Sequence, residues 1–445
     1  MPEITHRKKR LSPFKLIVLG FAVVILLGAL ILMLPFSSTA GVVTPFHEAL
    51  FTSTSAVCVT GLVVQDTGRY WSTFGQAIIL LLIQIGGLGV VTVAAFFAML
   101  SGRKISLMQR STMQDAISAP KVGGIVRLTR FIVRGTFLIE LIGMIVMLPT
   151  FCRNFGIKGI WMAAFHSVSA FCNAGFDILG TAENKYPSLT GYIGDPTINI
   201  AIMLLIIVGG IGFLTWEDIY TNKWHFKKYH MQSKVILVTT AILIIAPAVF
   251  FFFCDFTGLP LAERILASLF QSVTPRTAGF NTVDLPAMTG SSKAIMILLM
   301  LVGGSPSSTA GGMKTTTLAV LILSAFSVCC KKDDTEVCGR RIDGSAVKNA
   351  AAVAVMYFLM FFTGGIVISM AEGLPLSTCL YETASAVGTV GLTLGITPQL
   401  GVLSQLILIV LMYLGRVGGL TLIYAAISNK NQSGAKLPLE KITVG

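Results

Sequence analysis

The chain has 445 residues, 54% of them hydrophobic and only 12% charged, with 33 Lys and Arg against 20 Asp and Glu for a net charge of +13. Soluble domains carry roughly 25% charged residues, so the composition excludes an ordinary soluble enzyme and points to an all-α polytopic membrane protein. Nor is the positive charge spread as a nucleic-acid footprint would be, because it gathers at 7–10, 103–134, 223–234 and 331–348, with almost none in stretches such as 35–45 and 392–400.

Apolar runs at Leu16–Leu34, Ala77–Leu100, Ile198–Leu214, Lys234–Phe253 and Leu400–Ile427 each approach or exceed the ~20 residues that a helix needs to cross the hydrocarbon core. The first is too long for a cleaved leader, and Pro35-Phe36-Ser37 is no small-residue cleavage site. Alternation of basic and charge-poor segments is the positive-inside pattern, which places the basic segments and both termini in the cytoplasm, facing anionic lipid or a protein partner. Eight scattered cysteines suggest no disulfide framework, and Cys329, Cys330 and Cys338 lack a fourth ligand for a metal.

One unit recurs four times: "ALFTSTSAVCVTGL" (49–62), "AAFHSVSAFCNAGF" (163–176), "SLFQSVTPRTAGFN" (268–281) and "CLYETASAVGTVGL" (379–392). They align on Gly61, Gly175, Gly279 and Gly391, each followed by Leu or Phe. Ser-Ala stands six and five residues before the glycine in three copies, and Val273-Thr274 in the third. Each copy lies between an apolar span and a second apolar span, and is too short to cross a bilayer. It fits a re-entrant helix followed by an extended loop. The second spans also match: "IGGLGVVT" (85–92), "VGGIGFLT" (208–215) and "LGRVGGLT" (414–421), with "VGGSPSST" (302–309) sharing their opening.

The expected organisation is therefore four tandem helix–pore-helix–helix repeats, eight transmembrane helices in pseudo-fourfold array around a central pore. The boundaries are a tail at 1–12, repeat 1 at 13–101, a basic linker at 102–130, repeat 2 at 131–222, repeat 3 at 223–330, a linker at 331–345, repeat 4 at 346–428 and a tail at 429–445. A dehydrated cation needs oxygens in place of its water shell, and extended glycine-containing loops meeting on one axis supply rings of backbone carbonyls. The candidate filter residues are Val59, Thr60 and Gly61; Asn173, Ala174 and Gly175; Thr277, Ala278 and Gly279; and Thr389, Val390 and Gly391. The only metal implied is K+, held by backbone carbonyls, and no catalytic residue is implied.

Lys293–Val328 would be about 54 Å long as a helix, too long for one crossing. It must break at "GGSPSSTAGGMK" (303–314). A phosphate-binding loop fails on register, because Met313 precedes Lys314 and Ser308 stands where the first glycine is needed. A polar loop below the filter can instead obstruct the pathway and move aside. The candidate gate comprises Gly303, Gly304, Ser305, Ser307, Ser308, Thr309, Gly311, Gly312 and Lys314, within an intramembrane loop at 303–314. Arg416 joins it, the charged counterpart of Gly87, Gly210 and Gly304, and should face the pore or pair with a buried acid. Glu140, Glu382, His166, Arg276 and Glu48 read as packing, capping or tethering residues.

These motifs, with the short C-terminal tail, resemble the Trk/Ktr/HKT superfamily of potassium transporters, most closely the Ktr-type integral membrane subunit of bacteria. The resemblance covers nearly the whole chain. It implies channel-like K+ uptake across the bacterial cell membrane, K+ selectivity from Gly61, and gating by the intramembrane loop together with Arg416. It further implies a homodimer on a cytoplasmic ring of RCK-type regulatory subunits that sense ATP and ADP, with Na+ as a stimulating ion and no cofactor bound by this chain. Two other readings stay open: a Na+- or H+-coupled K+ symporter, and a non-transporting membrane scaffold or sensor.

Overall fold

The computed structural model describes residues 13–100, 107–117, 123–419 and 421; both tails lie outside the described residues. Each repeat opens on a helix, α1 (Pro13–Leu32), α6 (Ile125–Phe155), α10 (Met231–Cys254) or α14 (Gly344–Glu372). These four are long and apolar enough to cross a bilayer singly. Outward-facing Leu26, Leu30, Leu141, Ile145, Ile242 and Phe358 expose half or more of their surface, as a lipid-facing wall should.

A short helix follows in each repeat: α2 (Phe46–Val57), α7 (Lys158–Phe171), α11 (Leu261–Val273) and α15 (Leu376–Gly388). It is seated by the same device throughout. A hydroxyl on the short helix donates to a backbone carbonyl of the opening helix: Ser53 to Ile25 (2.7 Å), Ser167 to Glu140 (2.6 Å), Ser272 to Ile244, and Thr383 to Phe361 (3.1 Å). In low dielectric such a bond fixes depth and rotation of the short helix together. In repeats 1 and 2 a glycine opposite the serine permits the approach. A Cβ on Gly28 would lie 2.5 Å from the Ser53 hydroxyl and 2.7 Å from Leu82, and one on Gly143 would lie 2.6 Å from the Ser167 hydroxyl and 2.7 Å from Leu205.

The second membrane segments are α3 (Thr73–Leu88) with α4 (Val90–Leu100), α8 (Pro196–Gly210) with α9 (Phe213–Asn222), α12 (Gly290–Leu301) with α13 (Thr315–Cys329), and α16 (Val402–Val417). Only the third break is legible as excess length, yet all four are interrupted at one aligned level. Gly89, Gly212 and Gly418 cap their helices with φ of 85°, 94° and 86° and ψ of 133°, 139° and 136°, a conformation a side chain rarely adopts. The axes turn by 97° between α3 and α4 and 96° between α8 and α9. Pro306 aligns with those glycines in the third repeat, where residues 302–314 form a non-helical loop instead.

Each second segment packs on the short helix of the following repeat, α3 on α7, α8 on α11, α12 on α15, and α16 back on α2, and in repeats 1, 2 and 4 it packs on its own short helix as well. The contact of α16 with α2 closes the four units into a ring.

One boundary falls elsewhere than the sequence expectation puts it, and both linkers contain structure. α6 begins at Ile125, inside the segment assigned to the linker, because its 31 residues span about 46 Å. Its first turns, with Arg127, Arg130 and Arg134, extend beyond a ~30 Å hydrocarbon core. The linker also holds a helix, α5 (Leu107–Ile117), and 331–345 holds a hairpin of β1 (Glu336–Val337) and β2 (Arg340–Arg341). Its two-residue turn, Cys338-Gly339, has φ of 51° and 70°, as a type I′ turn requires. Cys329, Cys330 and Cys338 are exposed free thiols.

Replacing Gly143 with Val should overpack the α6–α7–α8 junction and destabilise the protein by about 1–3 kcal/mol. Unfolding of the detergent-solubilised chain would measure this, with Gly258→Ala, a site with open space, as the neutral control.

Candidate functional site

The four signature glycines meet at the centre of the ring. A Cβ on Gly61 would lie 3.2 Å from Cα of Gly175, one on Gly175 2.8 Å from Cα of Gly279, one on Gly279 3.2 Å from Cα of Gly391, and one on Gly391 3.0 Å from Cα of Gly61. Each hypothetical Cβ would also crowd the carbonyl oxygen of the residue before the next glycine: Ala174, Ala278, Val390 and Thr60 in turn. So the loops encircle one axis, with carbonyl oxygens at the closest approach. Each glycine also has positive φ, from 67° to 96°.

Sequence reading missed a second strained position. Val59, Asn173, Thr277 and Thr389, two residues before the glycines, all adopt left-handed backbone with φ of 57°, 60°, 74° and 52°. Two left-handed residues flanking an extended one turn the chain out of the short helix and along the axis.

The serine six residues before the glycine holds this turn. The Thr60 N–H donates to the Ser55 carbonyl at 2.8 Å and the Gly61 N–H to the Ser55 hydroxyl at 3.0 Å; Val390, Gly391 and Ser385 repeat both distances. Ser169 instead donates its hydroxyl to the Phe176 carbonyl at 2.8 Å. In the third copy Thr274 does so to Phe280 at 2.5 Å, one residue later in the alignment. That shift accounts for Val273-Thr274 standing where the other copies have Ser-Ala.

Acidic side chains brace the loops beyond the glycines. Glu382 accepts from the Thr393 hydroxyl, the Leu394 N–H and the Thr397 hydroxyl at 2.5, 3.0 and 2.8 Å, and Glu48 accepts from Gln65 at 2.9 Å. His166 is buried, stacked on Phe151 and bonded to the Met162 carbonyl at 2.8 Å. Arg276, behind the third loop, donates to the Thr240 hydroxyl of α10 at 3.3 Å. Glu140 accepts from Gln84 of α3 at 3.2 Å, while Arg134 is exposed.

Residues 302–314 lie directly against this ring. The Ser305 and Thr309 N–H groups donate to the Gly210 and Gly209 carbonyls at 2.9 and 3.3 Å, and the Ser307 carbonyl accepts from Phe213 at 2.6 Å. The segment thus lies across the break of repeat 2. Its far end crosses to repeat 4, where Gly312 N–H donates to the Gly415 carbonyl at 3.2 Å. Gly311 has no room for a side chain, since a Cβ there would lie 3.1 Å from Cβ of Thr389. Lys314 folds back onto the segment, donating to the carbonyls of Ala310 (2.8 Å) and Gly311 (3.4 Å), and the Ser305 and Thr315 hydroxyls pair at 3.0 Å. Ser307 donates to the Ile117 carbonyl at the end of α5.

Arg416 differs from one of the two expectations. No carboxylate pairs with it among the described residues. Its guanidinium instead donates to the carbonyls of Thr309, Gly86 and Gly87, the last at 3.2 Å. The end of α3 supplies two of these acceptors, Gly87 and Gly86, the latter also taking the Gly89 N–H at 3.1 Å. Satisfying arginine with neutral acceptors leaves its charge uncompensated, which an ion pair would not. Beside it lies a cavity of about 310 Å³ lined in part by Thr92, Asp115, Ser308, Lys314 and Tyr357.

A closed ring of backbone oxygens inside a membrane-spanning bundle, with a polar segment and an arginine lying against it, defines a membrane transport protein rather than an enzyme. The family described as "TrkH: Cation transport protein" matches residues 12–434, and the chain belongs to it. It is 38% identical over 453 residues to the potassium/sodium uptake protein NtpJ of Enterococcus hirae, covering 98% of each chain. It is 36% identical to the Ktr system potassium uptake protein B of Bacillus subtilis, covering 98% of this chain and 97% of that one. The crystal structure of the potassium transporter TrkH from Vibrio parahaemolyticus shares the fold with a TM-score of 0.75 at 17% identity, over 95% of this chain and 86% of that one.

Arg416→Ala should remove the segment's tie to repeat 1 and leave its hold on repeat 4 to the Gly312–Gly415 backbone bond. A Ser308→Cys reporter, in a background with the native cysteines replaced, is then expected to react with a thiol reagent about tenfold faster or more, from loss of charged hydrogen bonds of roughly 1.5–3 kcal/mol each. Equal labelling rates would show that the arginine does not hold the segment.

Proposed function

We propose that this chain is the ion-translocating membrane subunit of a K+ uptake system, with the four glycine loops as its selectivity filter. The observation that carries this reading is the closed ring of Gly61, Gly175, Gly279 and Gly391 with the preceding carbonyls at its centre. Backbone oxygens at fixed spacing replace the hydration shell of a dehydrated cation. The short helices α2, α7, α11 and α15 aim their carbonyl-rich, partially negative ends at it. The names of the two relatives, a potassium/sodium uptake protein at 38% identity and a potassium uptake protein at 36%, support K+ as the cargo.

Below the filter, residues 303–314 and Arg416 act as the gate. The segment blocks the way out of the filter, and the guanidinium adds a fixed positive charge in the path of a cation. Flux is channel-like, down the electrochemical gradient, with the basic segments and both termini in the cytoplasm. The Ktr name of one relative supports assembly with a separate partner, which we assign as a nucleotide-binding ring beneath a homodimer. Na+ coupling remains the second reading, favoured by the potassium/sodium name of the Enterococcus relative.

Reconstituted protein should take up rubidium with a reversal potential set by the K+ gradient alone; dependence on the Na+ or proton gradient would select the coupled mechanism. Gly61→Ser should shift preference from K+ toward Na+ by about tenfold, the equivalent of ~1.4 kcal/mol. No change in the ratio would remove the filter assignment. Deleting 303–312 should raise basal uptake, and unchanged uptake would remove the gate.

A further inference from the structure

We propose that Asn173 is a positioning residue that ties the second filter loop to the gate, so that the position of the gate sets the ion preference of that loop. The inference rests on the filter and gate assignments above and adds a direct link between them.

Thr309 is the centre of the link. It is fully buried, and each of its polar groups is committed to a different element. Its N–H donates to Gly209 of α8 at 3.3 Å. Its hydroxyl donates to the Phe171 carbonyl at the end of α7 at 3.1 Å and accepts from the Asn173 amide at 2.9 Å. Its carbonyl accepts from Arg416. One gate residue therefore touches the short helix, the filter loop and the obstructing arginine.

Asn173 is placed to pass movement on. It is fully buried, has φ of 60°, and immediately precedes Ala174, whose carbonyl faces Gly61 at the ring. Asparagine is among the few residues that tolerate this backbone. Among the described residues its Oδ1 has no partner and Thr309 is the amide's only side-chain anchor. If the gate swings away, the amide loses its acceptor in a low-dielectric site, which is unfavourable. It must then reorient, and any turn of this left-handed residue moves the next carbonyl.

The other loops are not wired this way. Val59 has no polar side chain, and the hydroxyls of Thr277 and Thr389 have no partner among the described residues. A hydrogen-bonded tie of this kind is confined to repeat 2 among the described residues, the repeat across whose break the gate lies; the fourth loop meets the gate only by packing of Thr389 on Gly311. Linkage makes it reciprocal, so ion occupancy at the second loop also biases the gate.

The test is rubidium and sodium uptake by the reconstituted full chain carrying Asn173→Gly, Thr309→Val, both together, or Thr309→Ser. Glycine keeps the left-handed backbone and removes the amide; valine removes the hydroxyl at constant shape. Each single variant should raise basal uptake about two- to tenfold, the worth of a neutral hydrogen bond, and shift the rubidium-to-sodium ratio in the same direction. The double variant should match the larger single effect, and Thr309→Ser should keep the parental ratio. An unchanged ratio in Thr309→Val, or effects that multiply in the double variant, would overturn the coupling. Should Asn173→Gly fail to fold, the ratio in Thr309→Val against Thr309→Ser decides alone. Deletion of 303–312 separates the two levels: increased uptake with multiplying single effects leaves the gate standing and removes the link, whereas unchanged uptake removes the gate itself.

Discussion

Four backbone strands approach one axis so closely that no side chain can stand between them. At Gly61, Gly175, Gly279 and Gly391 a single added carbon would lie 2.8–3.2 Å from the next strand's Cα. With side chains excluded, the groups left to face the axis are carbonyl oxygens, the ligands a dehydrated cation requires. The neighbouring structure serves that approach. Left-handed residues two positions earlier turn the chain in, serine or threonine hydroxyls lock the turn, and the opening helices hold the short helices at one depth through repeated hydroxyl-to-carbonyl bonds. Glycine capping the second segments at Gly89, Gly212 and Gly418 completes the common frame.

Against that frame the repeats carry unequal parts. The third replaces a simple glycine break with a thirteen-residue loop, 302–314, and the fourth replaces a glycine with Arg416. These two departures meet: the arginine bonds the Thr309 carbonyl in the loop and then reaches the broken helix of repeat 1. Near-symmetry is what allows a single side chain to contact three repeats. The loop is held by polar, backbone-directed contacts that neutral groups can exchange, without the strong desolvation penalty of breaking a buried ion pair.

Three acidic side chains, Glu382 and Asp66 buried and Glu48 half-buried, fall into a structural role here. Glu382, Glu48 and Asp66 each accept hydrogen bonds from loop groups beyond the glycines, with Asp66 taking the Tyr186 N–H at 2.7 Å across 120 residues of sequence. They brace the loops that follow the glycines, while the carbonyls of Thr60, Ala174, Ala278 and Val390 meet no hydrogen-bond donor among the described residues.

Much of this was legible from residue order alone. Fourfold recurrence, membrane insertion, the re-entrant helices and the glycine positions follow from a pattern repeated every hundred or so residues, because a backbone that must bend or touch leaves glycine at a fixed place. The interruption at 303–314 was visible because a helix cannot be longer than the bilayer without consequence. Folding in three dimensions decided what depends on partners distant in sequence. Ser55 and Thr274 bond backbone groups, which have no letter in the sequence. Gly89 and Gly212 look like helix-packing glycines until their neighbours force a right-angle turn. Arg416 could be recognised as a buried charge, yet its acceptors are carbonyls that any residue type provides. The tie between Asn173 and Thr309 joins positions 136 residues apart, so only the closed ring brings them together.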